Sequence, residues 1–288
     1  TPLNENILHE YYDNYNIVLD STALYGCSML GLEQGLTDEY GVGVVGEPGK
    51  PNLAREIIFE ADLPRRIEAQ TISSYCITGL RAITTIADAI ACGRIEAGIA
   101  GGAESMSHAD PSIFIEPSTG LSMGQHMELS SKVWDIPRVR QDEIALASHQ
   151  RASGARELLS GEIFPLLGQD SDSGPRADAS IEALGGLHTP FDENGTLTAG
   201  NSSPVTDGAA AVVLMSEAKT EAEGRTPLAF IRAMEYGAVD PSDGLLMATT
   251  VTVPKLLERT GLRLEDIDLI EIHEAFAAQV LANVKAWE

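Results

Sequence analysis

Positive charge is scarce in this sequence, with 19 lysine and arginine residues against 43 aspartate and glutamate residues and a formal net charge of -24. So acidic a chain repels the phosphates of nucleic acids and anionic lipid surfaces, and no basic patch offsets that repulsion. Apolar runs are short, because none reaches the roughly 18 residues that a membrane span requires. The N-terminus lacks a basic segment followed by an apolar one. We therefore expect a cytoplasmic protein with no membrane span and no nucleic-acid partner.

Cysteine is also scarce. The three cysteines show neither a Cys-x-x-Cys pair nor a Cys/His cluster with zinc spacing. We therefore expect no metal site and a reducing compartment. Aromatic residues make up only 5% of the chain, but 288 residues with 43% hydrophobic content are enough to bury a large core. Length and composition leave open whether this is one big domain or two.

One cysteine, Cys76, lies at a predicted turn between a strand and a helix. From Gly79 to about Ala91, apolar residues recur at helical spacing, which predicts a helix directly after Cys76. Unpaired amides and the positive end of a helix dipole favour an anion at such a turn, so a thiol there ionises more readily to the nucleophilic thiolate. Cys76 is a candidate nucleophile. The alternative is a buried thiol that acts as a small hydrophobe, and we interpret Cys27 and Cys92 in that way.

The segment Gly41–Gly46 matches the Gly-x-Gly-x-x-Gly pattern of dinucleotide-binding turns. That turn requires a strand before it and a helix after it. Here Thr37-Asp-Glu precedes the glycines and Glu47-Pro-Gly-Lys-Pro follows them, which predicts a loop. We therefore reject a dinucleotide site.

Elsewhere, predicted helices alternate with predicted strands, which favours an α/β fold with a parallel or mixed sheet covered by helices. A helix at 253–260 would have Pro254 in its first turn and Gly261 at its end. The other predicted helices are 52–60 and 140–159. The predicted strands are 67–73, 97–102, 209–215, 227–235 and 268–272.

Three separated motifs resemble segments of the thiolase family, in the same order. They are Cys76-Ile-Thr-Gly followed by Gly101-Gly-Ala-Glu-Ser-Met-Ser, then Gly195-Thr-Leu-Thr-Ala-Gly-Asn-Ser-Ser-Pro-Val-Thr-Asp-Gly, and finally His273-Glu-Ala-Phe-Ala-Ala-Gln. The resemblance covers roughly Pro51 to the end of the chain. It implies a thiolase-like α/β fold with layered helices and mixed sheets, of which the second half is incomplete.

The resemblance also implies a domain division. Residues 1–106 would form the N-terminal half, incomplete at its start, and residues 107–195 a loop domain that covers the active site. Residues 196–288 would complete the first half and open a truncated C-terminal half.

Thiolases cleave a 3-ketoacyl-coenzyme A with coenzyme A, giving acetyl-coenzyme A and a shortened acyl-coenzyme A through an acyl-cysteine. The resemblance implies that Cys76 is the nucleophile and that His273 helps to stabilise the thioester oxyanion through a bound water. Coenzyme A is then a co-substrate, and no prosthetic group is expected. The His-Glu-Ala-Phe form is more similar to the trifunctional-enzyme β-subunit type, which acts in fatty-acid β-oxidation, than to the short-chain biosynthetic type.

Four further residues match family positions that contact coenzyme A or its acyl and pantetheine arms: Arg176, Ser203, Met123 and Phe276. An arginine suits the phosphates of the ligand by its charge and fork geometry. Asn201 and Asp207 are expected to order their loop. The remaining histidines have no motif support and are expected to be surface or structural residues: His9, His108, His126, His149 and His188.

The sequence departs from the family pattern in several places. Thr78 stands where Ser is usual, Ser73 where Asn is usual, and Ser122 where short-chain thiolases have His. The Gly-His-Pro and Cys-x-Gly segments, which supply the family's general base and second acid/base, are absent from the 288 residues. We therefore expect the chain alone to be inactive.

Three alternatives to a 3-ketoacyl-coenzyme A thiolase stay open: an acetoacetyl-coenzyme A thiolase, a non-catalytic acyl-coenzyme A binding protein and a ketoacyl synthase. The His-Glu-Ala-Phe segment speaks against the synthase. By analogy with the family, the complete protein would be a homodimer or homotetramer, and association with a hydratase/dehydrogenase subunit stays open.

Overall fold

The computed structural model describes residues 27–28, 52–104, 106, 111–166 and 168–288. Gly41–Gly46, His9 and His108 lie outside these residues. The chain divides into two compact units. We call the described residues within 17–109 and 205–234 the Cys76 unit, and those within 110–204 and 235–288 the His273 unit.

In chain order, the helices of the described residues are α1 (Leu53–Glu60), α2 (Thr78–Ala91), α3 (Met123–Val133), α4 (Arg138–Gly154), α5 (Arg156–Leu159), α6 (Ile181–Gly185), α7 (Glu217–Ala222), α8 (Pro241–Gly244), α9 (Thr249–Thr260) and α10 (Ala277–Trp287). The strands are β1 (Cys27–Ser28), β2 (Thr71–Ile72), β3 (Ala97–Glu104) and β4 (Gly208–Met215). Short 3-10 helices occupy Tyr75–Ile77, Pro111–Phe114 and Leu264–Asp266. No helix within these ranges has the length and apolar character that a bilayer crossing demands.

The strands of the described residues form two antiparallel pairs. β1 pairs with β2, and β3 pairs with β4 along all eight residues, from Ala97 opposite Met215 to Glu104 opposite Gly208. No parallel pair occurs among the described strands, so the predicted parallel or mixed pairing is wrong for them. Because more than one hundred residues separate β3 from β4, β4 can pair with β3 in either direction. The local sequence pattern does not determine whether the pair is parallel or antiparallel. The prediction of an α/β architecture is confirmed.

Two predicted strands are wrong. Residues 227–235 and 268–272 form no strand in the structure, although apolar residues make up more than half of each. Propensity favours an extended chain, but a strand also needs a partner for its backbone groups. Leu228 and Phe230 are accordingly exposed.

Two helix predictions need corrected bounds. The helix predicted at 140–159 begins at Arg138, directly after Pro137, and is interrupted at Ala155. α9 begins at Thr249, so Pro254 lies inside the helix and not in its first turn. Gly261, in the left-handed region with φ 68°, ends α9 as predicted.

The core of the Cys76 unit lies between α2 and β3. Ala82, Ile86 and Ala89 recur on one face of α2 and are buried against Ile95 and Ala100. The small residues of β3 allow this close approach, because a Cβ at Gly98 would lie 2.6 Å from Cδ1 of Ile86. This packing fixes the helix that begins just after Cys76.

The core of the His273 unit lies among helices. Its buried residues are Met127, Ile136, Leu197, Met247, Phe276, Ala278 and Ala282. α10 supplies the two alanines and packs against α3, α4 and α9. Because α10 begins at Ala277, this packing holds the end of the His-Glu-Ala-Phe segment in place.

Candidate functional site

Cys76 lies in a tight turn that links β2 to α2. β2 ends at Ile72, and the 3-10 helix Tyr75–Ile77 carries the chain into α2 at Thr78. Tyr75 has φ 49°, in the left-handed region, which costs a non-glycine residue on the order of 1 kcal/mol. The half-buried Cys76 directly follows this strained residue. Backbone strain of this kind is concentrated at functional sites, where the surrounding structure maintains it.

The N-terminus of α2 directly follows the turn of Cys76, where the backbone N–H groups of Ile77 and Thr78 donate to the carbonyls of Ser74 and Tyr75. Its N-cap residue, Ile77, makes no side-chain hydrogen bond to the helix amides. The 14 residues of α2 align their peptide dipoles with the positive end toward the turn of Cys76. The arrangement favours negative charge beside the thiol, as expected for a nucleophile.

Thr78 braces the turn from inside. Its hydroxyl accepts the backbone N–H of Ser74 at 2.7 Å and donates to the carbonyl oxygen of Tyr75 at 2.6 Å. The side chain is fully buried. The Thr78 hydroxyl therefore links Ser74 and Tyr75, the two residues before Cys76. Ser, the usual family residue at this position, carries the same hydroxyl, so the change to Thr keeps the group that makes these hydrogen bonds.

We expect Thr78→Val to lower the free energy of unfolding by about 2 kcal/mol, because the Ser74 N–H loses its acceptor and the Tyr75 carbonyl loses one of two donors. Thr78→Ser is the matched control, since it keeps the hydroxyl and removes only a methyl group. Chemical denaturation measures the stability, and the alkylation rate of Cys76 reports on the turn. An equal effect of both substitutions would show that packing, and not the hydroxyl, holds the turn.

In the His273 unit, two of the motif segments run side by side. The N–H of Ser203 donates to the carbonyl of Ala275 at 2.9 Å, and the N–H of Ala277 donates to the carbonyl of Asn201 at 2.9 Å. Ser202 and Phe276 form an antiparallel bridge between them. The pairing brings Ser203 close to the His273–Phe276 segment, across about seventy residues of sequence. His273 itself is half-buried.

Asn201 orders its loop, as predicted. Its Oδ1 accepts the N–H of Thr198 at 2.8 Å, and its Nδ2 donates to Asp142 at 3.0 Å and to the carbonyl of Thr196 at 3.2 Å. The side chain is buried and holds the loop through these hydrogen bonds. Asp207 is exposed.

Sequence reasoning missed Glu128 on α3. Its buried carboxylate accepts the N–H of Thr196 at 2.8 Å and the N–H of Leu197 at 2.7 Å. It therefore anchors the start of the same motif segment. The sequence signal was an acidic residue on the helix face that also carries Met127 and Ser131, both buried.

Met123 and Phe276 lie at the edge of the core. Ser122 caps α3 in a capping box with Gln125, so Met123 is the first helical residue. Met123 packs against the core cluster to which Phe276 belongs. The Phe276 ring meets Phe191 edge-on, with centroids 6.1 Å apart. Both residues are core residues by contact, and their part in an acyl or pantetheine pocket stays a prediction.

Arg176 is exposed and lies beside α4. Its backbone N–H donates to Nδ1 of His149 at 3.4 Å. The preceding residue of α4, Ser148, donates its hydroxyl to Glu274 at 2.6 Å. Burial, reinforced by the Arg176 charge, lowers the pKa of His149, and the carboxylates of Glu274 and Asp178 oppose that shift. Sequence reasoning had left His149 without a role.

Other histidines fit the expectation. His126 is buried and hydrogen-bonds the Thr119 hydroxyl at 2.8 Å, a structural contact, and His188 is exposed. The predicted site residues thus fall in both units. Cys76 belongs to the Cys76 unit, and the other five to the His273 unit.

Comparison with known proteins identifies the family. The sequence matches the family described as thiolase, N-terminal domain, over residues 29–116 and 111–218, and thiolase, C-terminal domain, over residues 225–288. A 3-ketoacyl-CoA thiolase of Shewanella woodyi is 35% identical over 289 residues, which cover 84% of this chain and 66% of the relative. A 3-ketoacyl-CoA thiolase of Shewanella baltica is 36% identical with the same coverage.

Among solved structures, the chain is similar to the acetyl-CoA acetyltransferase of Bacillus anthracis, with a TM-score of 0.75 and 32% sequence identity. The match covers 86% of this chain and 70% of the other. The chain therefore has a thiolase-like α/β fold and spans about two thirds of the length of the curated relatives it matches. It belongs to the thiolase family.

Proposed function

We propose that the full-length protein is a 3-ketoacyl-CoA thiolase that works in the degradative direction, in fatty-acid β-oxidation. The observation that carries this proposal is the turn of Cys76, which joins a strained backbone, a buried hydroxyl brace and the positive end of the α2 dipole. The 3-ketoacyl-CoA thiolases of Shewanella woodyi and Shewanella baltica support the substrate class.

In this reaction, the Cys76 thiolate attacks the ketone carbon of the 3-ketoacyl chain. The bond between the second and third acyl carbons then breaks, and its electron pair takes up a proton to give acetyl-coenzyme A. The acyl group stays on Cys76 as a thioester. The thiolate of a second coenzyme A attacks this thioester, releases a shortened acyl-coenzyme A and restores the Cys76 thiolate. A covalent intermediate divides one difficult step into two easier ones.

The other predicted residues stabilise negative charge in the reaction or bind coenzyme A. His273 stabilises the thioester oxyanion through a bound water, Arg176 pairs with the phosphates of coenzyme A, and Ser203 contacts the pantetheine arm. The pairing of residues 201–203 with 275–277 supports this, because one local structure holds both segments. No prosthetic group takes part in this scheme.

Proton transfer needs further groups. The Gly-His-Pro histidine and the Cys-x-Gly cysteine of the family are absent from the 288 residues. Each general acid or base contributes typically about 100- to 10,000-fold to the rate. We therefore propose that the 288-residue chain by itself has little or no turnover, and the tests of activity below use the full-length protein.

His273→Ala should lower kcat/KM for thiolysis by about 100-fold, because an oxyanion donor is lost. His273→Asn should retain most of the activity, since the thiolase motif occurs with Asn or His at this position. His188→Ala, at an exposed histidine without a motif, is the matched control. Steady-state kinetics with a 3-ketoacyl-coenzyme A measures all three. Equal rates for His273→Ala and the control would remove His273 from the mechanism.

A second candidate is acetoacetyl-CoA thiolase activity. The likeness to the acetyl-CoA acetyltransferase of Bacillus anthracis favours it. A profile of thiolysis rate against acyl chain length separates the two candidates. The 3-ketoacyl proposal predicts activity that persists on longer chains, whereas activity confined to acetoacetyl-coenzyme A would favour the second candidate.

We further propose that the full-length protein is a homodimer or homotetramer, by analogy with the family. The similarity of the His273 motif to the trifunctional-enzyme β-subunit type keeps association with a hydratase/dehydrogenase subunit open as an alternative.

A further inference from the structure

Two neighbouring residues of α4 contact two different segments of the candidate site. Ser148 donates its hydroxyl to Glu274, in the segment of His273. His149 accepts the backbone N–H of Arg176, the candidate partner of the coenzyme A phosphates. α4 therefore fixes both segments at adjacent positions along one rigid helix.

We call residues 176–184 the Arg176 segment. This segment is hydrogen-bonded to α4 at two separated points. His149 contacts the segment at Arg176. Arg138, the first residue of α4, donates to the carbonyl of Leu184, eight residues further along the segment. Eleven residues of helix, about 16 Å, separate the two ties along α4. The contact of Arg138 is charge-assisted and also involves Asp142, so it persists across the physiological pH range.

The hydrogen bond between Arg176 and His149 depends on the protonation state of the His149 ring. Nδ1 accepts the Arg176 N–H only while this nitrogen carries no proton, since both nitrogens of an imidazolium are donors. Three charged groups face the ring: Arg176 and Asp178 from one segment, and Glu274 from the other. Burial and the arginine favour the neutral ring, while the two carboxylates favour the cation.

We propose that His149 is a positioning residue for the phosphates of coenzyme A, which keeps the Arg176 segment in its binding position only while the imidazole is neutral. The proposal rests on the proposed contact of Arg176 with coenzyme A. Protonation of the ring removes the acceptor and sets a cation beside Arg176, so the segment loses its contact with α4 at Arg176 as the pH falls, while the Arg138 contact remains.

The direction of the pH effect follows from the lowered pKa of His149. A neutral ring favoured by the folded state contributes stability that is fully present above the ordinary histidine pKa of about 6.5. That contribution is lost as the pH falls through the lower folded-state pKa. Affinity for coenzyme A should therefore weaken on the acid side and be constant above neutrality.

The test is calorimetric titration of the protein with coenzyme A at about pH 7.5 and at a second pH below the folded-state pKa of His149, which NMR titration of the ring locates. His149→Asn keeps an oxygen acceptor near the position of Nδ1 but does not titrate. His149→Ala removes the acceptor. We expect His149→Asn to bind like wild type at the higher pH, and His149→Ala to bind about fivefold more weakly, as for one lost hydrogen bond.

At the lower pH, wild type should lose about fivefold more affinity than His149→Asn. The coenzyme A phosphate titrates near about pH 6 in every variant, so the comparison between variants cancels that contribution. Hydrogen exchange at the Arg176 amide, without ligand, should quicken in His149→Ala and stay slow in His149→Asn.

Arg176→Ala separates the possible failures. If it weakens coenzyme A binding while the His149 variants match wild type at both pH values, the role of His149 is wrong and that of Arg176 stands. Tighter binding by wild type at the lower pH would likewise overturn the role of His149. If Arg176→Ala binds like wild type, the proposed phosphate contact fails and the positioning role fails with it.

Discussion

Cys76→Ala in the full-length protein should lower kcat/KM for thiolysis by at least about 1000-fold, because loss of a covalent nucleophile removes the step on which the mechanism depends. The effect comes from chemistry and not from folding, since Cys76 is half-buried and lies outside the core cluster formed by α2 and β3. Steady-state kinetics with a 3-ketoacyl-coenzyme A measures the loss.

Cys92→Ala provides the matched control for this substitution. Cys92 directly follows the last residue of α2 and is exposed, so the interpretation of Cys92 as a buried thiol is wrong. Its substitution tests removal of a thiol at the other end of α2. We expect the control to retain wild-type kinetics and stability. If Cys76→Ala kept activity within about tenfold of the control, a smaller loss than that of known covalent nucleophiles, the assignment of the nucleophile would be wrong.

Glu128→Ala should lower the free energy of unfolding by about 3–4 kcal/mol, near the upper end for single substitutions. The buried carboxylate accepts two backbone N–H groups, from Thr196 and Leu197, and the Thr196 hydroxyl at 3.3 Å. Alanine leaves these donors without an acceptor and opens a cavity between α3 and the segment. Chemical denaturation measures the change.

Glu143→Ala is the control for Glu128. Glu143 lies on α4 with about half of its side chain exposed, in a surface pair with Arg140. Such pairs contribute about 0–1 kcal/mol, so the control should change stability little. A loss no larger for Glu128 than for Glu143 would mean that the Gly195–Ser203 segment is held without Glu128, by its other contacts, such as those of Asn201 and buried Leu197.

The sequence predicted the surroundings of Cys76 well because those interactions are local. Apolar spacing along α2 and the small residues of β3 each specify one face, and the two faces pack on each other. The same reasoning failed at 227–235 and 268–272. Their composition favours extended chain, but neither range forms a strand, because a strand also requires a neighbouring strand and composition does not report one.

The candidate site was predictable where short motifs mark it and not where distant residues support it. Cys76 and His273 lie in recognisable segments. Glu128 and His149 act on residues 68 and 27 positions away, so the local pattern shows at most which helix face carries them and not which backbone groups they bind. Thr78 lies between these two cases. The sequence shows that it differs from the Ser that is usual in the family motif, but its hydrogen bonds to Ser74 and Tyr75 appear only in the folded turn.

The most direct test of the account is mass spectrometry of the full-length protein after incubation with a 3-ketoacyl-coenzyme A in the absence of free coenzyme A. The account predicts an acyl group on the peptide that contains Cys76, which disappears when coenzyme A is added. An acyl group on another cysteine, or tight binding of acyl-coenzyme A without any acylated peptide, would contradict it. The second result would indicate a thiolase-like protein that binds acyl-coenzyme A without catalysis.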